Sequence, residues 1–122
     1  MIEAAALCLF LVGVMHSALG GRRLIAPLMA RADFPVILGS QRNGRLTLFF
    51  GWHALTLFWW AQAVVLLRIA QDPTDAAQMT LLSLAAACGI MGLVALIASR
   101  GRHLSWVFFL PVAALLALSA GG

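Results

Sequence analysis

Four long apolar runs, separated by short polar segments, dominate the chain. They cover approximately residues 4–19, 46–67, 79–99 and 104–120, and each is bounded by polar residues or by glycines. A transmembrane helix needs about 20 mostly apolar residues. The pattern therefore predicts an all-α integral membrane protein, in which four transmembrane helices pack as a bundle in a single domain, 1–122.

Composition supports this prediction and excludes several classes of protein. Hydrophobic residues make up 63% of the 122 residues and charged residues only 10%, with a mean hydropathy of +1.00. A water-soluble domain carries about 25% charged residues. A soluble enzyme, a disordered chain and a DNA-binding module are therefore excluded. Because the arginines adjoin apolar runs, the net charge of +4 does not indicate a nucleic-acid partner.

Charge is distributed unequally between the two ends of the predicted helices. One end carries seven arginines and one acid, a net +6, whereas the other carries one arginine and three acids, a net −2. The seven arginines are Arg22, Arg23, Arg31, Arg42, Arg45, Arg100 and Arg102. Positive charge stays on the cytoplasmic side of a membrane. We therefore predict a cytoplasmic (inner) membrane protein with both termini outside, in the periplasm if the source is bacterial.

The first cytoplasmic loop, residues 20–45, contains two apolar stretches that are too short to span a bilayer. They are Leu24–Met29 and Phe34–Leu38. Segments of this length suit an interfacial or re-entrant position, where flanking arginines meet anionic headgroups. We predict such a segment, and a partner protein is the alternative cover for the same surface.

Small residues form a seam along the third run at three- and four-residue steps. The seam contains Ala85, Cys88, Gly89, Gly92 and Ala95. Small side chains let the backbones of membrane helices approach closely. The sequence predicts a helix-packing interface here, either inside the bundle or with another copy or subunit.

Histidines are the ionisable residues that could carry chemistry. No Asp, Glu, Lys or Arg lies inside the four runs, and ionisable residues within a membrane are candidate functional residues. At 1.5 Å per residue, His16 lies about 9 Å from Arg22 and His53 about 12 Å from Arg45 along their helices. His103 begins the fourth run on the same cytoplasmic side.

Two readings of these histidines involve a metal. A b-type haem takes two imidazoles from neighbouring helices at one depth, which fits His16 and His53. Zinc or copper accepts imidazole ligands, which fits His16, His53 and His103. We expect no resident cofactor as the simplest case, with haem, metal or quinone as the alternatives.

Two further readings involve hydrogen bonds alone. A histidine could donate to the carbonyl of a quinone or lipid headgroup while Trp52 or Trp60 stacks on the ligand. Alternatively, His16 with Ser17, and His53 with Thr56, could form polar clamps between helices, at about 0.6 kcal/mol each.

No catalytic signature is present, so we expect no enzyme. Short loops, the aromatic second run and the small-residue seam favour an accessory or assembly subunit of a larger respiratory or photosynthetic membrane complex, with other subunits, or further copies, and the lipid bilayer as partners. The alternative is a protein that binds haem, metal or quinone at His16 and His53. A small transporter is less well supported, because Glu3 at the edge of the first run is the nearest carboxylate to a membrane helix there.

Overall fold

The computed structural model describes residues 1–121, and all its regular elements are helices. The helices are α1 (Ile2–Met29), α2 (Gln41–Gln71), α3 (Ala76–Ser99) and α4 (Trp106–Gly121). A single 3₁₀ turn, Pro73–Asp75, leads into α3, and the described residues contain no β-strand. The all-α prediction is therefore confirmed.

Three of the four helical segments are long and apolar enough to cross a membrane. They have mean hydropathies of 1.9 for Ile2–Met29, 1.4 for Gln41–Gln71 and 2.4 for Pro73–Ser99. The fourth helix is also apolar but has 16 residues, which at 1.5 Å per residue gives about 24 Å against a hydrocarbon core of about 30 Å. The structure thus shows helices that are able to span a membrane for the first three runs.

The first helix continues well past the end of the first apolar run. Its middle section, His16–Ile25, is π-helical, and the Ala26 N–H donates to Gly21 O, five residues earlier. The prediction that a loop begins at Gly20 is therefore wrong. Glycines and the paired Arg22 and Arg23 suggest a loop, but long arginine side chains reach water from a helix end, so the helix can persist.

The first connection is consequently short and spans residues 30–40. Phe34, which is 7% exposed, packs on the start of α2. A Cβ on Gly44 would lie 3.0 Å from the Phe34 ring, so only glycine allows this approach. The two apolar stretches predicted to form an interfacial or re-entrant segment are thus separate, because Leu24–Met29 completes α1 while Phe34–Leu38 lies at the entrance to α2.

Polar caps set the starts of α2 and of the turn before α3. Ser40 accepts a hydrogen bond from the Asn43 N–H at 3.1 Å, and Asp72 accepts one from the Thr74 N–H at 2.9 Å. Each bond satisfies a backbone donor that has no partner within the first turn of a helix. Gly39, with φ +80°, reverses the chain just before the first cap.

The four helices pack as a row in which each contacts its neighbours in sequence. Interfaces join α1 to α2, α2 to α3 and α3 to α4, and within residues 1–121 no comparable interface joins α1 or α2 to α4, or α1 to α3. The contacts that would close a bundle are therefore absent from this part of the chain. The outer helices keep exposed apolar faces, for example Leu11 (55% exposed) and Leu118 (75% exposed).

The small-residue seam of the third run lies at the α3–α4 interface. A Cβ on Gly92 would meet Leu110 Cδ2 at 2.7 Å and the Leu110 backbone N at 3.2 Å, whereas a Cβ on Gly89 would meet the Ala113 Cβ at 3.7 Å. The other members of the seam, Ala85, Cys88 and Ala95, are buried. The two glycines therefore pack within the chain.

Candidate functional site

Polar side chains of α2 donate hydrogen bonds to the backbone of α1 along the interface between these two helices. The bonds join Trp52 Nε1 to His16 O (3.1 Å), Thr56 Oγ1 to Gly13 O (3.4 Å) and Trp60 Nε1 to Phe10 O (3.2 Å). The donors are four residues apart on α2 and the acceptors three apart on α1, so each set lies on one helix face. The two helices are held in one register by these bonds.

Glycines on α1 provide the space for the two indoles. A Cβ on Gly13 would collide with the Trp60 indole, and one on Gly20 would lie 2.6 Å from Trp52 Cζ2. Since real side chains cannot approach so closely, bulky α2 residues and bare α1 backbone must face one another here. The aromatic bulk of the second run is thus accommodated inside the chain.

His16 is held against α2 by both its ring and its N–H. The ring stacks on Trp52, with centroids 4.0 Å apart and planes 10° apart, and meets the edge of Trp59 at 5.2 Å. Its Nε2 lies 3.2 Å from Trp52 O and donates to that carbonyl. His16 therefore acts as part of the α1–α2 interface.

Ser17, His53 and Thr56 form a continuous hydrogen-bonded cluster. The Ser17 hydroxyl lies 2.8 Å from His53 Nδ1 and 2.8 Å from Thr56 Oγ1. Thr56 is buried, with 3% of its surface exposed, whereas His53 and Ser17 are half-buried. Phe49 packs at a tilt against the imidazole, with centroids 4.4 Å apart. A polar clamp between the helices is thus formed, but Ser17 bonds both His53 and Thr56, whereas the prediction grouped His16 with Ser17 and His53 with Thr56.

This cluster forms the polar part of an otherwise apolar cavity of about 340 Å³. Its remaining lining consists of Phe49, Phe50, Leu57 and Trp60 on α2 and of Ile90, Met91 and Val94 on α3. Small-molecule sites are typically cavities of about 300–1,000 Å³ with mostly apolar walls and a few convergent polar groups. The cavity between α1, α2 and α3 has this composition and is our candidate binding site.

The two histidines predicted to share a cofactor line different cavities. His16 lines a groove of about 450 Å³ beside Gly51, whereas His53 lines the cavity against α3. A bis-histidine haem needs both imidazole nitrogens aimed at one iron. Because His16 Nε2 donates to Trp52 O and His53 Nδ1 is bonded to Ser17, that arrangement is not formed.

The predicted three-histidine metal site is not formed either. His103 belongs to the α3–α4 turn, where its Nδ1 lies 2.8 Å from the Ser105 hydroxyl and its backbone N–H donates to Ser99 Oγ. Within residues 1–121, no three His, Cys, Asp or Glu side chains are placed to hold one ion. The three histidines lie toward the basic end of the helices, as their positions in the sequence predict, but their side chains do not meet at one point.

Of the two predicted tryptophans, Trp60 lines the His53 cavity. Trp52 does not line it, because its ring stacks on His16. The sequence predicts Ser17 in a clamp with His16, but it does not predict that Ser17 bonds both His53 and Thr56 across the two helices. The available signal was the spacing of Gly13, Ser17 and Gly20, which places small residues on one face of α1.

Three of the predicted cytoplasmic arginines bond to the protein itself. Arg42 donates to Ala98 O and Arg45 to Arg31 O, each at 3.0 Å. Arg31 pairs with Asp33 at 2.7 Å on the exposed surface, which lowers the pKa of that carboxyl. The other four, Arg22, Arg23, Arg100 and Arg102, are exposed.

Comparisons of the chain with protein-family models, with curated proteins and with solved structures each found no match.

Proposed function

We propose that this chain is a non-catalytic, multi-pass protein of the cytoplasmic membrane that packs as an accessory subunit against a second membrane protein. The observation that carries the proposal is Gly51, which faces outward from the middle of α2. Apart from its two chain neighbours and the backbone of its own helix, no heavy atom lies within 4 Å of the position that its Cβ would take. Together with His16, Thr47 and Leu55 it lines the groove of about 450 Å³.

A glycine that faces outward from a membrane helix needs an explanation, because contact with lipid does not require a glycine. Glycine costs about 1 kcal/mol relative to alanine in a helix interior. Gly13, Gly20 and Gly92 offset that cost by admitting side chains of neighbouring helices, whereas Gly51 admits none from this chain. Small residues at such positions let a second helix backbone approach closely. The occupant we propose is a transmembrane helix of another polypeptide.

The open row of helices supports the same proposal. The share of each span that is buried within the chain is 11% for α1 and 22% for α2. The short α4, with 16 residues, leaves a length mismatch with the bilayer that helix association can relieve. Both features suit a protein that is completed by neighbouring subunits.

Orientation is part of the proposal. The basic ends of the helices lie in the cytoplasm and both termini lie outside, because seven of the eight arginines occupy one end of the row.

The experiment is site-specific photo-crosslinking in native membranes. A photoreactive amino acid at Thr47, one turn from Gly51, should capture a second membrane protein in the full-length chain. Gly51→Leu should abolish this adduct, whereas Ala70→Leu, which introduces the same side chain at another exposed position of α2, should not. Circular dichroism checks that both variants fold. If the photoreactive chain with Gly51 intact forms adducts with lipid alone, the proposal is overturned. Adducts with a second copy of the chain would show that the groove mediates self-association instead of binding a different subunit.

A further inference from the structure

Polar and apolar side chains are unevenly distributed in the lining of the cavity beside His53. Apart from the indole N–H of Trp60, which donates to Phe10 O, the polar side-chain groups of its lining belong to Ser17, His53 and Thr56, and no charged side chain contributes to the lining. Burial of an unpaired charge in such surroundings is strongly unfavourable. The occupant that suits this cavity is therefore a neutral molecule with an apolar body and a polar group that meets the cluster.

One nitrogen of the cluster has no partner. His53 Nδ1 is bonded to Ser17, but no group within residues 1–121 forms a hydrogen bond with Nε2. The ring edge that carries Nε2 lies beside Gly21, where a Cβ would be 3.9 Å from Nε2, so the α1 residue next to this edge has no side chain. Nε2 is thus the atom of the cluster that is available to a ligand.

The shape of the lining favours a flat ring. Phe49, Phe50 and Trp60 supply aromatic faces on the α2 side, and Ile90, Met91 and Val94 supply flexible aliphatic surface from α3. Aromatic faces pack well against planar rings at separations of about 4.5–7 Å between centroids. His53 also lies at membrane depth, about 12 Å along the helix from Arg45, where lipid-soluble molecules have access.

We propose that this cavity binds a quinone-class molecule from the bilayer, with a ring carbonyl or hydroxyl on His53 Nε2. The assignment concerns binding, and it does not depend on the partner proposed at Gly51, because that groove is lined by other residues.

The hydrogen-bond chain explains how one site accepts both forms of such a ring. When Ser17 donates to His53 Nδ1, Nε2 carries the proton and donates to a ring carbonyl. When His53 Nδ1–H donates to Ser17, Ser17 donates to Thr56 and Thr56 to Gly13 O, so that Nε2 accepts from a ring hydroxyl. In the first arrangement Thr56 donates to Ser17, and Gly13 O keeps the backbone N–H of His16 as its donor; in the second all three side-chain bonds form. Both are open to the cluster because a neutral imidazole has one donor and one acceptor nitrogen.

The test is a titration of the full-length protein in phospholipid nanodiscs with decylubiquinone, followed by quenching of tryptophan fluorescence. We expect saturable quenching above the linear background that arises from quinone dissolved in lipid. His53→Phe keeps the aromatic volume and removes the hydrogen bond, so it should weaken binding about tenfold. His103→Phe, outside the cavity, should leave binding unchanged.

A second pair of variants keeps the test decisive if His53→Phe perturbs folding. Val94→Phe fills the cavity from α3 and should abolish saturable binding, whereas Leu93→Phe enlarges the adjacent exposed residue and should not. Mass spectrometry of a solvent extract of the purified protein should find a bound quinone. Quenching that stays linear with quinone concentration, or that is equal in all variants, would overturn the proposal. An extract that holds only phospholipid, with binding displaced by phospholipid, would overturn it as well.

Discussion

Identical residues in the membrane helices have different roles according to what lies opposite them. Gly13 and Gly20 face the indoles of Trp60 and Trp52, whereas Gly51 faces no side chain of this chain. The first two permit hydrogen bonds from α2 to carbonyls of α1, and the third leaves an open groove. Since all three are glycines inside apolar helices, only their neighbours distinguish internal packing from an external surface.

At the same scale, Asp72 in the outer turn gives a pH-dependent prediction. The side-chain hydroxyl and the backbone N–H of Thr74 both donate to its carboxylate, and these bonds lower the pKa of Asp72. A pKa that is lower in the folded chain stabilises the turn above the unfolded-state pKa, and this contribution is lost as the pH falls through the folded-state pKa.

Thr74→Val should therefore raise the pKa of Asp72 toward its usual value, but not fully, because the backbone bond remains. Carboxyl ¹³C NMR titration measures this directly. Thr80→Val, which removes a hydroxyl that bonds to Ala76 O instead, is the control and should leave the Asp72 titration unchanged. An unaltered pKa in Thr74→Val would contradict the hydrogen-bond assignment.

Among the helices, α1 is distinguished by its π-helical section, which contains Arg22 and Arg23. It begins at His16 and ends at Ile25, which is 2% exposed. A π-helix bonds over five residues and is therefore wider than an α-helix, and such sections often occur at functional sites. Here it contains Ser17, which is hydrogen-bonded to His53, and Gly21, whose backbone lies beside the His53 ring.

The α3–α4 interface gives a prediction at the level of these elements. Gly92→Ala places a methyl group 2.7 Å from Leu110 Cδ2 and 3.2 Å from the Leu110 backbone N, so the Leu110 side chain or α4 itself must shift. Overpacking of this kind costs about 1–3 kcal/mol. Gly89→Ala makes an ordinary contact of 3.7 Å and should be neutral or gain up to about 1 kcal/mol of helix stability.

Reversible unfolding of the purified protein in mixed detergent micelles measures the free energy of unfolding for both variants. The two glycines are three residues apart in one helix and face the same neighbour, so each controls for the other. Equal stabilities would show that α4 does not pack on Gly92 as described.

For the whole molecule, the charge asymmetry predicts the orientation of the row. The connection at residues 30–40 belongs to the basic end and the turn at Pro73–Asp75 to the acidic end. In a background that carries Cys8→Ala and Cys88→Ala, a cysteine is introduced by Gly39→Cys or by Thr74→Cys.

We expect a membrane-impermeant maleimide to label the Thr74→Cys protein in intact cells. The Gly39→Cys protein should be labelled only after the membrane is opened. Labelling in the reverse order would overturn the proposed orientation, and labelling of both in intact cells would show that the segment between them does not span.

The amino-acid sequence by itself determined the helices and the class of protein. Length and polarity are local properties, and a backbone in lipid must satisfy its hydrogen bonds within each helix. Those two facts are enough to identify the membrane-capable runs, to exclude a soluble surface and to separate the basic end from the acidic end.

The tertiary structure alone decided which residues meet. Ser17 and His53 are 36 positions apart, and their contact depends on the rotation and register of two helices rather than on either sequence segment. The same holds for the extension of α1 to Met29, for the row that does not close and for the separation of His16 from His53. Side chains of adjacent helix residues point about 100° apart, so equal depth in the membrane does not place two histidines in one site.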